Sequence, residues 1–305
     1  MKITVIGAGN VGATCAMRLL EQGLGDIVLI DIIESLAKGK AEDLMDAASI
    51  IGHNCNITGT SDYSLTEGSD IVVVTAGFAR QPGMSREELL SKNASIVREV
   101  AKNIKKHSGS PIIIVVTNPL DIMAYLTYKE TGFDSKRVIG MAGFLDSSRM
   151  NLMIARQLNR NVSGIDSMVM GTHGKTMVPA VSNSKVDKAK LADSLKQADI
   201  DKLAEKTKAR GAEIVSYLGK GSAFYAPSAG VLKMAQAIAK DTNEILPCSS
   251  YLNGEYDIKG IYLGVPARIG TSGITEIVKL TLTKEEEKLL KEASESVQSQ
   301  ISSLK

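Results

Sequence analysis

Apolar residues in the first half of the chain fall into two alternating patterns. Short, largely β-branched runs, Lys2–Ile6, Ile27–Ile30, Asp70–Val74, Pro111–Val116 and Val138–Met141, read as strands buried on both faces. Between them the apolar positions take a helical period. Val11, Cys15, Leu19 and Leu20 share one face, and a second helix is predicted over Ser35–Ala48. Ser85-Arg86-Glu87-Glu88 has the form of a capping box, in which the serine accepts from backbone N–H groups and the glutamate reaches back. It opens a long helix reaching about Lys106. Alternation of this kind predicts an α/β fold with an N-terminal doubly wound parallel sheet.

After about residue 145 the rhythm changes. Helices are predicted over 146–159, 199–218, 228–240 and 284–302. Ile245–Tyr251 and Ile258–Gly264 flank Asn253-Gly254, a hairpin signal. The C-terminal half is therefore expected to be α+β, and the domains are placed at 1–142 and 143–305.

Composition narrows the function. A chain of 305 residues with 44% hydrophobic and 23% charged residues can bury a core without disulfides or metal. A net charge of +2, with no dense block of Lys or Arg, speaks against a nucleic-acid partner. Cys15, Cys55 and Cys248 lack zinc-ligand spacing, so no metal is expected and the thiols read as reduced. The opening MKITVIGAGN enters a Gly-rich turn too early for an export signal, and no apolar run reaches the ~18 residues of a membrane span. A cytoplasmic location is expected.

Gly7-Ala8-Gly9-Asn10-Val11-Gly12 fits GxGxxG between a predicted strand and helix of a βαβ unit, the context of a Rossmann-type dinucleotide site. Gly7 permits the tight turn, Gly9 lets the backbone approach a pyrophosphate, and Gly12 lets helix pack on strand. The helix N-terminus supplies free N–H groups to that pyrophosphate. Asp31, ending the second strand, can accept from the adenosine ribose hydroxyls and would repel a 2′-phosphate, so NAD is favoured over NADP. The same turn in another α/β protein serves a flavin or no ligand.

Residues 75–93, TAGFARQPGMSREELLSKN, follow the third strand, where doubly wound sheets bind ligands. Gly77, Pro82 and Gly83 suit a loop that can close, and Arg80 and Arg86 suit a substrate with two anionic groups. Solvated surface arginines fit that segment equally well. Asp146 and Arg149, taken alone, read as a surface i,i+3 ion pair. His173 alone is a histidine in a Gly-flanked loop; His53 and His107 match no motif and read as surface residues.

GAGNVG, TAGFARQPGMSR, VVTNPLDIM, LDSSRM and THGKTMVP, in this order, resemble the lactate/malate dehydrogenase family, most of all its lactate-dehydrogenase-like malate dehydrogenases from prokaryotes. The resemblance spans essentially the whole chain. It implies reversible NAD-dependent oxidation of (S)-malate to oxaloacetate, a tricarboxylic acid cycle step, with hydride passing between C2 and the nicotinamide. By it, His173 is the acid/base group and Asp146 orients it. Arg149 grips the C1 carboxylate, Arg86 polarises the C2 carbonyl, and Asn118 contacts substrate. Val116, Thr117 and Asn118 lie against the cofactor, and Asn93 adds a further cofactor contact. Arg80 pairs with a second carboxylate; closing it over lactate would bury it unpartnered. Ala223, in GSAFYAPSAG, is expected to line the pocket, and the family's habit implies a homodimer or homotetramer.

Two positions depart from the family pattern. It usually reads HGD where this chain has His173-Gly174-Lys175, so Lys175 is expected either to point to solvent or to lower the His173 pKa. Thr172 stands where Gly is frequent and is expected to stiffen the segment. Two other readings stand beside malate oxidation. One is a lactate or other 2-hydroxy-acid dehydrogenase, which Arg80 opposes. The other is a NAD-binding sensor with weak turnover, which only Lys175 supports.

Overall fold

The computed structural model describes residues 1–78, 84–219 and 221–304, the side chain of Arg86 excepted. The N-terminal elements are β1 (Lys2–Ile6), α1 (Asn10–Glu21), β2 (Asp26–Ile30), α2 (Glu34–Asp46), α3 (Ala48–Ile51), β3 (Ile57–Thr60), β4 (Ile71–Val74), α4 (Arg86–His107), β5 (Ile112–Val115), α5 (Leu120–Thr131) and β6 (Val138–Gly140). There follow α6 (Gly143–Leu158), β7 (Ile165–Asp166), β8 (Val169–Gly171), β9 (Met177–Pro179), β10 (Lys185–Val186), β11 (Ala189–Lys190), α7 (Leu191–Ser194), α8 (Gln197–Leu218), α9 (Tyr225–Ala239), β12 (Glu244–Asn253), β13 (Lys259–Gly270), β14 (Gly273–Ile277) and α10 (Lys284–Ser302).

Strands β3-β2-β1-β4-β5-β6 lie side by side and parallel, as the alternation predicts. Residues of alternate parity feed opposite core layers: Ile6, Val28, Val72 and Val74 pack on one face, Ile3, Val5, Leu29 and Val73 on the other. Both faces are covered, which is why these strands carry no polar alternation. The Ser85 capping box is present, with Glu88 N–H donating to the Ser85 hydroxyl at 3.0 Å.

The antiparallel element is not set apart from this sheet. β12 joins β6 through Ser249↔Gly140, and the sheet continues into β13, β8 and β9. Gly140 makes the junction possible, since a Cβ there would lie 2.7 Å from that of Ser249. The hairpin itself differs from a two-residue turn. The chain swings through Gly254 and a 3-10 turn at Glu255–Asp257 before re-pairing at Asn253↔Lys259.

The short elements α3, β7 to β11, α7 and β14 have no counterpart in the sequence reading, and neither do two elements of the N-terminal half, α5 and β3. Helix α5 is buried on nearly every side, including Asp121, Thr127 and Thr131, so it shows no amphipathic stripe. Strand β3, ITGT, is short and holds Gly59, where a Cβ would lie 2.2 Å from the Ala37 carbonyl oxygen of α2.

Candidate active site

The strand ends β1, β4 and β5 converge on the N-terminus of α1. Gly7 has φ +103°, and a Cβ on Gly12 would lie 1.8 Å from the Gly7 carbonyl oxygen, so neither tolerates a side chain. Gly9 faces open space, with nothing within 4 Å of the place a Cβ would take. That bare backbone at a helix N-terminus is the cradle a pyrophosphate requires, and a side chain would fill it. The Asp31 carboxylate accepts from the N–H groups of Ala8 at 2.7 Å and Ile33 at 3.0 Å, which fixes it beside the turn with lone pairs remaining for ribose hydroxyls. The donor set fits a dinucleotide.

Groups the sequence reading passed over hold this turn in place. Lys40 of α2 donates to the Ala8 carbonyl at 2.6 Å, and the Thr75 hydroxyl lies 3.0 Å from the Ile6 and 3.1 Å from the Gly7 carbonyl oxygens. A lysine facing back toward a glycine turn has no local sequence signal. Asn93 sits 1% exposed behind the wall: its amide oxygen accepts from Phe78 N–H at 2.7 Å, and its NH₂ donates to the Phe78 and Asn118 carbonyls. Thr117 donates to the Ala76 carbonyl at 2.7 Å.

A cleft of about 390 Å³ opens beside the turn. Gly9, Asn10, Val11 and Gly12 line one side, Val116, Thr117 and Asn118 another, and His173 the end. Ala223 is part of its wall, with Ser222 and Pro227. Arg80 lies outside the described residues, as does the side chain of Arg86.

His173 is carried between β8 and β9 on a loop that folds tightly. Gly171 has φ +78°, and the Thr172 and Thr176 hydroxyls lie 2.7 Å apart across the loop. Thr172 thus bonds across the loop to Thr176. The His173 ring meets Asp146 in the first turn of α6, Nδ1 to Oδ2 at 2.7 Å. An ionised carboxylate only accepts, so Nδ1 carries the proton and Nε2 is left for other work. The other Asp146 oxygen accepts from Arg149 Nη1 at 3.2 Å. Asp146 is 1% exposed and Arg149 11%, so this is no surface pair. Arg149 Nε is buried without a hydrogen-bond partner among the described residues.

Electrostatics follow from this geometry. Burial pushes the His173 pKa down, but the charge and hydrogen bond of Asp146 outweigh it and hold the ring above its ordinary value. Burial lowers the Arg149 pKa, with Asp146 opposing. Lys175 is exposed, which selects the solvent-pointing alternative. Lys175→Asp is therefore expected to raise the midpoint of the pH–rate profile by only about 0.3 unit, as suits an exposed charge. A shift beyond about one unit would show that Lys175 governs the ring. Among the described residues, no cluster of His, Cys, Asp or Glu is arranged to hold a metal. His107 is partly exposed, whereas His53 has a buried Nδ1 and is less of a surface residue than expected.

A dinucleotide turn at strand ends, facing an imidazole–carboxylate–guanidinium chain centred on a buried carboxylate, defines a nicotinamide-dependent dehydrogenase. The comparisons with known proteins are more specific. The NAD-binding domain of the lactate/malate dehydrogenases matches residues 1–140, and their α/β C-terminal domain matches residues 144–305. The chain belongs to the lactate/malate dehydrogenase family, and its cofactor is NAD. The malate dehydrogenase of Methanosarcina mazei is 48% identical, over 100% of this chain and 99% of that one. The crystal structure of Cryptosporidium parvum malate dehydrogenase superposes with a TM-score of 0.97, at 39% identity, covering 99% of this chain and 98% of its own. A lactate dehydrogenase from the same organism, complexed with lactic acid and the cofactor, gives 0.96 at 39% identity, covering 99% and 97%. Fold alone therefore does not separate the two substrates.

Proposed function

We propose that the chain interconverts (S)-malate and oxaloacetate, with His173 as the proton carrier. The observation that carries this reading is Asp146, buried and bonded at once to His173 and Arg149 beside the dinucleotide cleft. When bound, NAD would supply the hydride acceptor for C2 in oxidation and, reduced, the hydride donor in the reverse direction. Gly7, Ala8, Gly9, Asn10, Val11, Gly12 and Asp31 hold the cofactor, with Val116, Thr117 and Asn118 on the far side of the cleft. Asn93 acts through the Phe78 and Asn118 backbone it clamps. Arg149 turns its unpaired Nε and remaining N–H groups to the C1 carboxylate, which fixes the face C2 presents. His173 Nε2 accepts the C2 hydroxyl proton during oxidation and returns it during reduction. Asp146 stabilises the imidazolium in between. Asn118 contacts substrate, Arg86 polarises the C2 carbonyl, and Arg80 meets the C4 carboxylate.

The domain division at 1–142 and 143–305 falls where α6 begins, so the residue orienting His173 sits at the boundary. We place the chain in the cytoplasm and in the tricarboxylic acid cycle, as a homodimer or homotetramer. Ile50 and Ile51 of α3, 86% and 47% exposed, support an assembly through that face. None of the described helices is long and apolar enough to cross a membrane. A sensor without turnover would have no use for a buried carboxylate orienting a histidine, and Lys175, its one support, is exposed.

The test is NADH oxidation with oxaloacetate and with pyruvate, for wild type and Arg80→Gln. Wild type should prefer oxaloacetate. The substitution should lower its kcat/KM by about 10³-fold, the scale for losing one partner of a desolvated charge pair, and should favour pyruvate in relative terms. Wild-type preference for pyruvate would make this a lactate enzyme.

A further inference from the structure

Asp121 has no part in the reaction just described, yet it is a buried carboxylate next to the acid/base group. It lies in the first turn of α5 at 5% exposure. Its Oδ1 accepts from the Ser249 hydroxyl of β12 at 2.6 Å, and its Oδ2 accepts from the backbone N–H of His173 at 3.3 Å. One carboxyl thus joins α5, the central antiparallel strand and the loop that carries His173. Neighbours Leu120, Ile122 and Met123 are all apolar and buried. Burial drives the Asp121 pKa up to about 6, against the Ser249 bond, the His173 N–H and the charge of the His173 ring. A residue serving packing alone would not be an acid here, because a buried charge is retained only at a cost.

The charged groups around it are few. Asp121 and His173 both line a cavity of about 310 Å³, where the other charged side chain among the described residues is the exposed Lys175. Leu89 from α4, and Ser296, Val297 and Gln300 from α10, contribute no charge. On its α6 side the ring meets Asp146, itself paired with Arg149.

We propose that Asp121 is a second positioning carboxylate for His173, holding its main chain through the N–H and stabilising its protonated ring through space. The inference rests on the acid/base reading of His173. Asp146 sets the tautomer by bonding Nδ1. Asp121 fixes where the loop sits and adds a second negative charge near the ring, so the ring stays protonated to higher pH in the reducing direction.

Asp121→Asn separates this role from a purely structural one. The amide oxygen can still accept from His173 N–H and its NH₂ can donate to the Ser249 hydroxyl, so the contacts survive and only the charge is lost. The midpoint of kcat/KM for oxaloacetate reduction should fall by about half a pH unit, and the His173 ring titration, followed by NMR, should fall with it. Stability should move the other way. A carboxyl with a raised folded pKa contributes most below its unfolded value, and that contribution fades as pH rises through about 6. Asp121→Asn should therefore raise the thermal midpoint by about 5 °C at neutral pH and leave it unchanged near pH 4. An unmoved ring titration overturns the inference and leaves the acid/base reading intact. A wild-type rate profile that fails to track the ring titration overturns both. Should Asp121→Asn not fold, Ser249→Ala removes one donor to the carboxylate and should shift the ring the same way by a smaller step; no shift there is equally fatal.

Discussion

Asp146→Asn should lower kcat for oxaloacetate reduction by about 10³- to 10⁴-fold while NADH binding survives. An asparagine can accept from Arg149 and from His173 Nδ1–H only with its one oxygen, not with both of its terminal atoms. With its oxygen toward Arg149 Nη1, its NH₂ faces Nδ1, and the ring must move the proton to Nε2 to accept. Nε2 then cannot take a proton from C2–OH in oxidation, and in reduction the doubly protonated ring that must donate is disfavoured by the NH₂ facing Nδ1. The ring also loses the charge that holds its pKa up, so the remaining activity should show a lower midpoint in the reducing direction. The fold should lose about 3 kcal/mol, since Arg149, already strained by burial, keeps its charge with a neutral partner. Stopped-flow rates with NADH and oxaloacetate, beside fluorescence titration of NADH, measure both halves. A kcat within about tenfold of wild type would mean that Asp146 does not set the tautomer.

The sequence makes some of this legible and hides the rest for physical reasons. Strands β4 and β5 are unbroken apolar runs, and β1 and β2 nearly so, because helices cover both faces of the sheet, and a run of that kind can be seen without partners. Helix α5 could not be seen, because burial on nearly all sides erases the stripe that marks a helix. The dinucleotide turn announces itself, since each glycine has a local steric reason. The residues steadying it, Lys40 and Thr75, act across more than thirty positions and leave no local trace. Asp146 and Arg149 are an intermediate case. Their spacing suggested a contact, but only the fold shows that it is buried and that His173 joins it. Asp121 was not singled out in the sequence; an acid set among Leu120, Ile122 and Met123 is the conflict of residue type and surroundings that could have marked it.

Arg149→Lys should lower kcat/KM for oxaloacetate by about 10²- to 10³-fold, chiefly through KM, with NADH affinity unchanged. Charge is conserved, so any loss measures geometry. The guanidinium divides its donors: Nη1 is committed to Asp146 at 3.2 Å, while Nε is buried without a partner among the described residues. A buried unpaired donor is unfavourable in the free protein by about 1–3 kcal/mol, and a substrate carboxylate that relieves it is bound partly by that relief. Lysine is a single point of charge. It can reach Asp146 or the substrate carboxylate but cannot fork onto one while bonded to the other. An i,i+3 pair on one helix suits this division, because the contact with Asp146 at 3.2 Å restrains the arginine side chain before any carboxylate is bound. Steady-state kinetics at fixed NADH decide the matter. A rise in KM of less than about threefold would show that the C1 carboxylate is held elsewhere. A fall in kcat alone, at constant KM, would move Arg149 from binding to the chemical step.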